Sequence, residues 1–139
     1  MQRLCPTPPS RPPRSGAVTV EFALVAPLVL FIVFGSIEFA RLNMLVNSME
    51  NAAYEAARRG IIPGATVANV KAEANSILQA VGAVNATVTV SPTTITNQTP
   101  QVTVTISIPL NDNAWVTPQF TQNKTLTRSC TLTRETTAF

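Results

Sequence analysis

One stretch decides what this chain can fold into: Ser15-Gly-Ala-Val-Thr-Val-Glu21-Phe-Ala-Leu-Val-Ala-Pro27-Leu-Val-Leu-Phe-Ile-Val-Phe-Gly35-Ser-Ile-Glu38-Phe-Ala-Arg41. Between Phe22 and Ile37 only Gly35 and Ser36 depart from apolar character, and Pro27 interrupts the run. As a helix, residues 17–39 measure roughly 34 Å at about 1.5 Å per residue, enough to cross a bilayer core. Three readings compete. A secretory signal has a shorter apolar core and a small-residue cleavage site; here Gly35 and Ser36 run into Ile37-Glu38-Phe39 without an Ala-x-Ala. An ordinary single-pass anchor accounts for the length but leaves Glu21 unexplained, because a carboxylate in hydrocarbon costs on the order of 3 kcal/mol even on lenient insertion scales. The third reading takes Gly16 and Glu21 together.

Charge sets the expected orientation. Arg3, Arg11 and Arg14 precede the apolar run with no acid among them, and the other seven of the ten basic side chains balance the seven acids. The net charge of +3 therefore sits before the span. That is a cytoplasmic flank under the positive-inside rule, and it excludes any argument from basicity for nucleic-acid binding. Residues 1–16, crowded with prolines, read as a disordered basic leader. Cys5 and Cys130 fall on opposite sides of the proposed membrane, which argues against an internal disulfide.

Beyond the transmembrane helix (17–40) the helical period continues over 41–59, with Leu42, Leu45, Val46, Met49, Ala52, Ala53, Ala56 and Ala57 on one face. Glu38 and Arg41, three residues apart at the membrane edge, are placed to form an i,i+3 ion pair. A kink is expected at Pro27, tolerated in lipid because neighbouring groups satisfy the freed backbone. Arg58 and Arg59 complement the helix dipole and Gly60 ends the helix. Residues 60–139 read as a small α+β module. A second helix starts at the N-cap Thr66 and ends near Gly82. Three alternating segments, 84–90, 101–108 and 124–134, read as an antiparallel sheet with a threonine-rich outer face. The fold class is thus α+β and membrane-anchored, a long helix and a short one against three strands.

The sequence offers no catalytic or metal site. His is absent, no paired carboxylates or Cys clusters have ligand spacing, and Asp112 between Asn111 and Asn113 reads as a turn rather than a calcium loop. No cofactor and no small-molecule substrate is implied.

Gly16-Ala-Val-Thr-Val-Glu21-Phe22 resembles the Gly-x-x-x-x-Glu-Tyr/Phe junction of type IV and Flp-type prepilins. The longer stretch through Ala57 is similar to the TadE-like family of tight-adherence pilus assembly proteins, in Val20-Glu21-Phe22-Ala23-Leu24, Pro27, Gly35, Ile37-Glu38-Phe39, Arg41, Asn51-Ala-Ala and Glu55-Ala-Ala-Arg58. The resemblance implies a pilin-like layout and cleavage by a membrane prepilin peptidase between Gly16 and Ala17. Glu21 would then be the fifth residue of the mature chain, placed to neutralise the new Ala17 ammonium in its own chain or a neighbour's. Phe22, where major Flp pilins usually carry Tyr, favours a minor pilin or pseudopilin. The implied partners are the membrane, the peptidase, and other pilins or assembly-platform proteins. The implied location is the bacterial inner membrane, crossed once, N-terminus in the cytoplasm and module outside. The competing expectation is an uncleaved, membrane-tethered binding module.

Overall fold

The computed structural model describes residues 15–134, with side chains from Gly16 onward. Residues 1–14, with the leader's three arginines and Cys5, lie outside the described residues, whereas Ser15 and Gly16, read as the end of that leader, are already helical. In order the chain forms α1 (Ser15–Gly60), α2 (Val67–Ala80), β1 (Thr87–Ser91), β2 (Gln101–Pro109), a 3-10 turn (Asn111–Asn113) and β3 (Thr125–Thr133). It divides into two compact units, residues 1–33 and 34–139.

The described part of the first unit is helix alone, and α1 continues through Pro27. Val18, Val20, Phe22, Leu24, Leu28, Phe31 and Ile32 are all exposed. The most apolar window of α1 has a mean hydropathy of 2.5, and none of it is buried. A helix apolar on all sides belongs in a membrane or inside a large core, and no core covers this one. It is a candidate membrane span.

In the second unit α1 changes character. Glu38, Arg41, Leu45, Met49, Ala52, Ala56 and Gly60 are buried, and their spacing of three and four draws one stripe along the helix. Ala53 and Ala57 widen it. The stripe joins Val70, Ala74 and Leu78 of α2, Val90 of β1 and Val102, Val104, Ile106 and Ile108 of β2 in a single core. Thr66 caps α2 as expected, its Oγ1 accepting from the Asn69 amide at 3.3 Å.

The sheet is an antiparallel meander in the order β1-β2-β3. Its register makes the outer face uniform. Thr87, Ser107 and Thr127 lie in one row, Thr89, Thr105 and Ser129 in the next, and Ser91, Thr103 and Thr131 in a third. Hydroxyl pairs bridge β2 and β3 at 2.8 Å (Thr103–Thr131) and 3.1 Å (Ser107–Thr127), the cross-strand contacts that hold register on a solvated face. Cys130 occupies the inner row opposite Val104, half-buried against the core.

α1 ends at Gly60 with Arg58 and Arg59 in its last turn, as expected, and two details there add to that reading. Arg58 turns to Glu55 at 3.5 Å on the surface, and the helix end is clasped instead by Arg134, from just beyond β3. Its guanidinium donates to the carbonyls of Ile61 (2.8 Å), Thr96 (2.8 Å), Gly60 and Ile62 (both 3.3 Å), placing a cation on the negative end of the dipole. Gly60 is the last helical residue but does not adopt the left-handed conformation of a C-cap glycine; Gly64 and Gly82 do. Gly60 is required by close approach. A Cβ there would stand 2.9 Å from Val102 Cγ1 and 3.1 Å from Val70 Cγ2. Both neighbours are short, stiff and β-branched, so the overlap is not relieved by a side-chain swing. Overpacking costs about 1–3 kcal/mol, against at most about 1 kcal/mol that alanine gains over glycine in a helix. Gly60→Ala is therefore expected to destabilise the detergent-solubilised protein by a net of up to about 2 kcal/mol, read as a lowered urea midpoint. A raised midpoint would show that the two valines yield.

Candidate functional site

Glu38 and Arg41 belong to the inward stripe of α1 and are 8% and 4% exposed. Charges placed there cannot reach bulk water, so they need partners. The expected partner of each was the other. The structure instead gives each its own set of backbone groups from the loops beside α1, and no ion pair joins them.

The Glu38 carboxylate accepts four hydrogen bonds from one short segment. Gln119 N donates to Oε2 at 3.0 Å, while Phe120 N (3.0 Å), Thr121 N (2.7 Å) and Thr121 Oγ1 (2.6 Å) donate to Oε1. Three successive amides converge on one carboxylate, as in an anion-binding nest. The Arg41 guanidinium takes a different set of partners. Its Nε donates to the Asn113 carbonyl at 2.9 Å, Nη1 to Val81 O at 2.9 Å and Nη2 to Gly82 O at 3.2 Å. Its face lies over the Trp115 ring, 5.0 Å from the centroid, a cation–π contact. A planar fork serves three carbonyls at once, which a lysine ammonium does not.

The loop between β2 and β3 is shaped for this. Leu110 N bonds Lys124 O at its base (2.9 Å), and Asn111 and Asn123 bond each other through Nδ2–Oδ1 (2.9 Å) and N–Oδ1 (2.8 Å). Asn123 holds a positive φ of 58°, which asparagine tolerates. Buried Asn113 spends its side chain on the Val84 amide (2.8 Å) and on the carbonyls of Val84 (2.9 Å) and Pro109 (2.8 Å). Asp112 accepts from Asn85 Nδ2 at 2.8 Å, so the acid belongs to the turn. Glu38, Arg41, Leu42, Leu45, Leu110, Asn113, Ala114 and Thr121 enclose a cavity of about 10 Å³, at the lower limit for one water. That is no pocket for a substrate.

The other residues singled out in the sequence lie apart from this cluster. Gly16 and Ala17 are exposed in the first turns of α1, and a Cβ on Gly16 would touch nothing. Glu21 is exposed, without an ion pair or hydrogen bond among the described residues, and Phe22 beside it is 72% exposed. Sequence reasoning missed Asn113, Trp115, Phe120 and Thr121. The available signal was a run without charge, Asn113 to Asn123, between Asp112 and Lys124, opposite two charges on a stripe that should have been apolar.

A family model described as TadE-like protein matches residues 16–58. No curated protein matches, and no solved structure does. The matched segment covers α1 almost from end to end, including Glu21, Glu38 and Arg41, and stops before the module. It points to a protein associated with Tad/Flp pili, with an apolar helix suited to membrane anchoring.

Glu38→Leu is expected to release the loop while sparing the sheet, because it removes both acceptor oxygens and leaves the amides of 119–121 without their partner. Amide hydrogen exchange at 119–121 should rise about tenfold or more, with β2 and β3 nearly unchanged, since loops open locally without global unfolding. Equal protection in the variant would mean that the loop is held by something other than Glu38.

Proposed function

We propose that this protein is a TadE-like minor pilin or pseudopilin that acts in the assembly or initiation of a Flp/Tad-type pilus or a related secretion pseudopilus. The observation that carries the reading is the family match over 16–58 together with the placement of Gly16 and Glu21 at the start of an uncovered apolar helix. In this reading the N-terminus is cytoplasmic, the module lies outside the inner membrane, and a prepilin peptidase cuts between Gly16 and Ala17. The protein is a substrate and a structural subunit and performs no catalysis of its own. Glycine suits the cut, having no side chain to obstruct a protease, and the first turn of a helix frays easily.

Cleavage would leave an ammonium on Ala17, one helical turn from Glu21 and on the same face. A helix entering an apolar assembly with both groups unpaired would be strongly disfavoured. Glu21 has no hydrogen-bond or ion-pair partner among the described residues, so its carboxylate is available to the Ala17 of its own or an adjacent subunit. Charges that must meet fix how far one helix slides along another, which makes Glu21 a registry device.

Two outcomes test this. The mature protein from a membrane fraction should begin at Ala17, and Gly16→Leu should leave it full-length but still inserted, because the span is untouched. A wild-type chain that stays full-length beside an active peptidase would leave only the tethered-module reading. Glu21→Gln should still be cleaved and inserted, since losing an acid eases insertion, yet should no longer co-purify with partner pilins. Co-purification at the wild-type level would make Glu21 a bystander at the membrane edge.

A further inference from the structure

The loop between β2 and β3 carries two large aromatic side chains outward. Trp115 is 62% exposed and Phe120 43% exposed, with no charge between Asn113 and Asn123. A soluble loop gains nothing from this. Where the loop meets α1 gives it a use. Phe120 stacks on Phe39 with ring centroids 5.7 Å apart, and its Cε2 lies 3.4 Å from where a Cβ on Gly35 would stand. Gly35 and Phe39 belong to the last turns of the apolar run. Trp115 sits further out along α1, over Arg41. The six helical steps from Gly35 to Arg41 rise roughly 9 Å, within the roughly 5–10 Å over which apolar faces enter the headgroup and upper acyl region, where tryptophan is enriched.

We propose that this loop is a second membrane contact, beside the end of the span, which seats the module on the outer leaflet: Phe120 and Phe39 among the upper acyl chains, Trp115 at headgroup level. The proposal rests on the reading of α1 as a membrane anchor. Irregular backbone is normally barred from such depth because its polar groups go unsatisfied. Here the amides of Gln119, Phe120 and Thr121 are already taken up by Glu38. The same bonds satisfy the carboxylate, so each partner removes the other's obstacle to a low-dielectric position. Arg41, buried against the Trp115 ring and bonded to three carbonyls, satisfies its charge in the same way.

The chain's single tryptophan is the probe. Full-length protein is reconstituted into phosphatidylcholine vesicles, floated to establish anchoring, and read by Trp115 emission. Lipids brominated near the carbonyl end of their tails should quench more than half of the emission, lipids brominated near the tail end much less, and aqueous acrylamide should quench several-fold less than it quenches free tryptophan. The double variant W115F/F120W should be quenched more strongly by the deeper bromines than the wild type is. If the protein floats but Trp115 is quenched by acrylamide and not by bromolipid, the loop faces water or a protein partner and the proposal fails while the anchor stands. If the protein does not float, the anchor falls and the loop contact with it.

Discussion

The module depends on a carboxylate in the wrong place for a soluble helix. Glu38 lies on the inward stripe of α1, in the position that opens the core, and is stable there because three consecutive amides and a hydroxyl close over it. Hydrogen bonds to a charged acceptor are stronger than neutral ones, and a buried charge without them is prohibitive. Neither side stands alone. Without the loop the carboxylate would force the stripe open; without the carboxylate the loop would lose what holds three of its amides. Arg41, one turn on, does the same for the carbonyls of Asn113, Val81 and Gly82, and Arg134 repeats the device at the far end of α1. Helix and loops are therefore joined by charge-to-backbone contacts at both ends and by apolar packing between them.

Much of this architecture was legible in the sequence because it is periodic. The three-and-four spacing from Leu45 to Ala57 named the buried face, Thr66 named a helix start, and alternation in 101–108 named the central strand. What was not legible depends on contacts distant in sequence. Glu38 and Arg41 invite an i,i+3 pair because adjacency is all that a sequence displays. The competing partners lie 72 to 83 residues away or are backbone groups of Val81 and Gly82, and backbone groups carry no residue signature. Gly60 does end the helix, but the reason it must be glycine was hidden in the same way: the valines that forbid a side chain there come from α2 and β2. The role of Glu21 is of another kind, since its proposed partner lies in a processed or neighbouring chain.

The family match adds a further point. It ends at residue 58, so Glu38 and Arg41 fall inside the matched segment and, Met44 Sδ beside Arg41 apart, the groups that satisfy them fall outside. Most of these are main-chain N–H and C=O groups. A module can therefore differ freely in side chains and still be gripped by the same helix, provided its loops bring amides to one charge and carbonyls to the other.

The outer face of the sheet has a consequence of a different sort. Its three complete rows are made only of serine and threonine. Such a surface is wetted without projecting a field, because fixed charge is what reaches beyond a Debye length of about 10 Å. Whatever meets this face is neither drawn in from a distance nor turned away by electrostatic mismatch, and salt has little hold on the encounter. Fit at contact, hydroxyl against hydrogen-bonding group, is the basis left for choosing among arrivals, and encounters there proceed at the pace of unassisted diffusion.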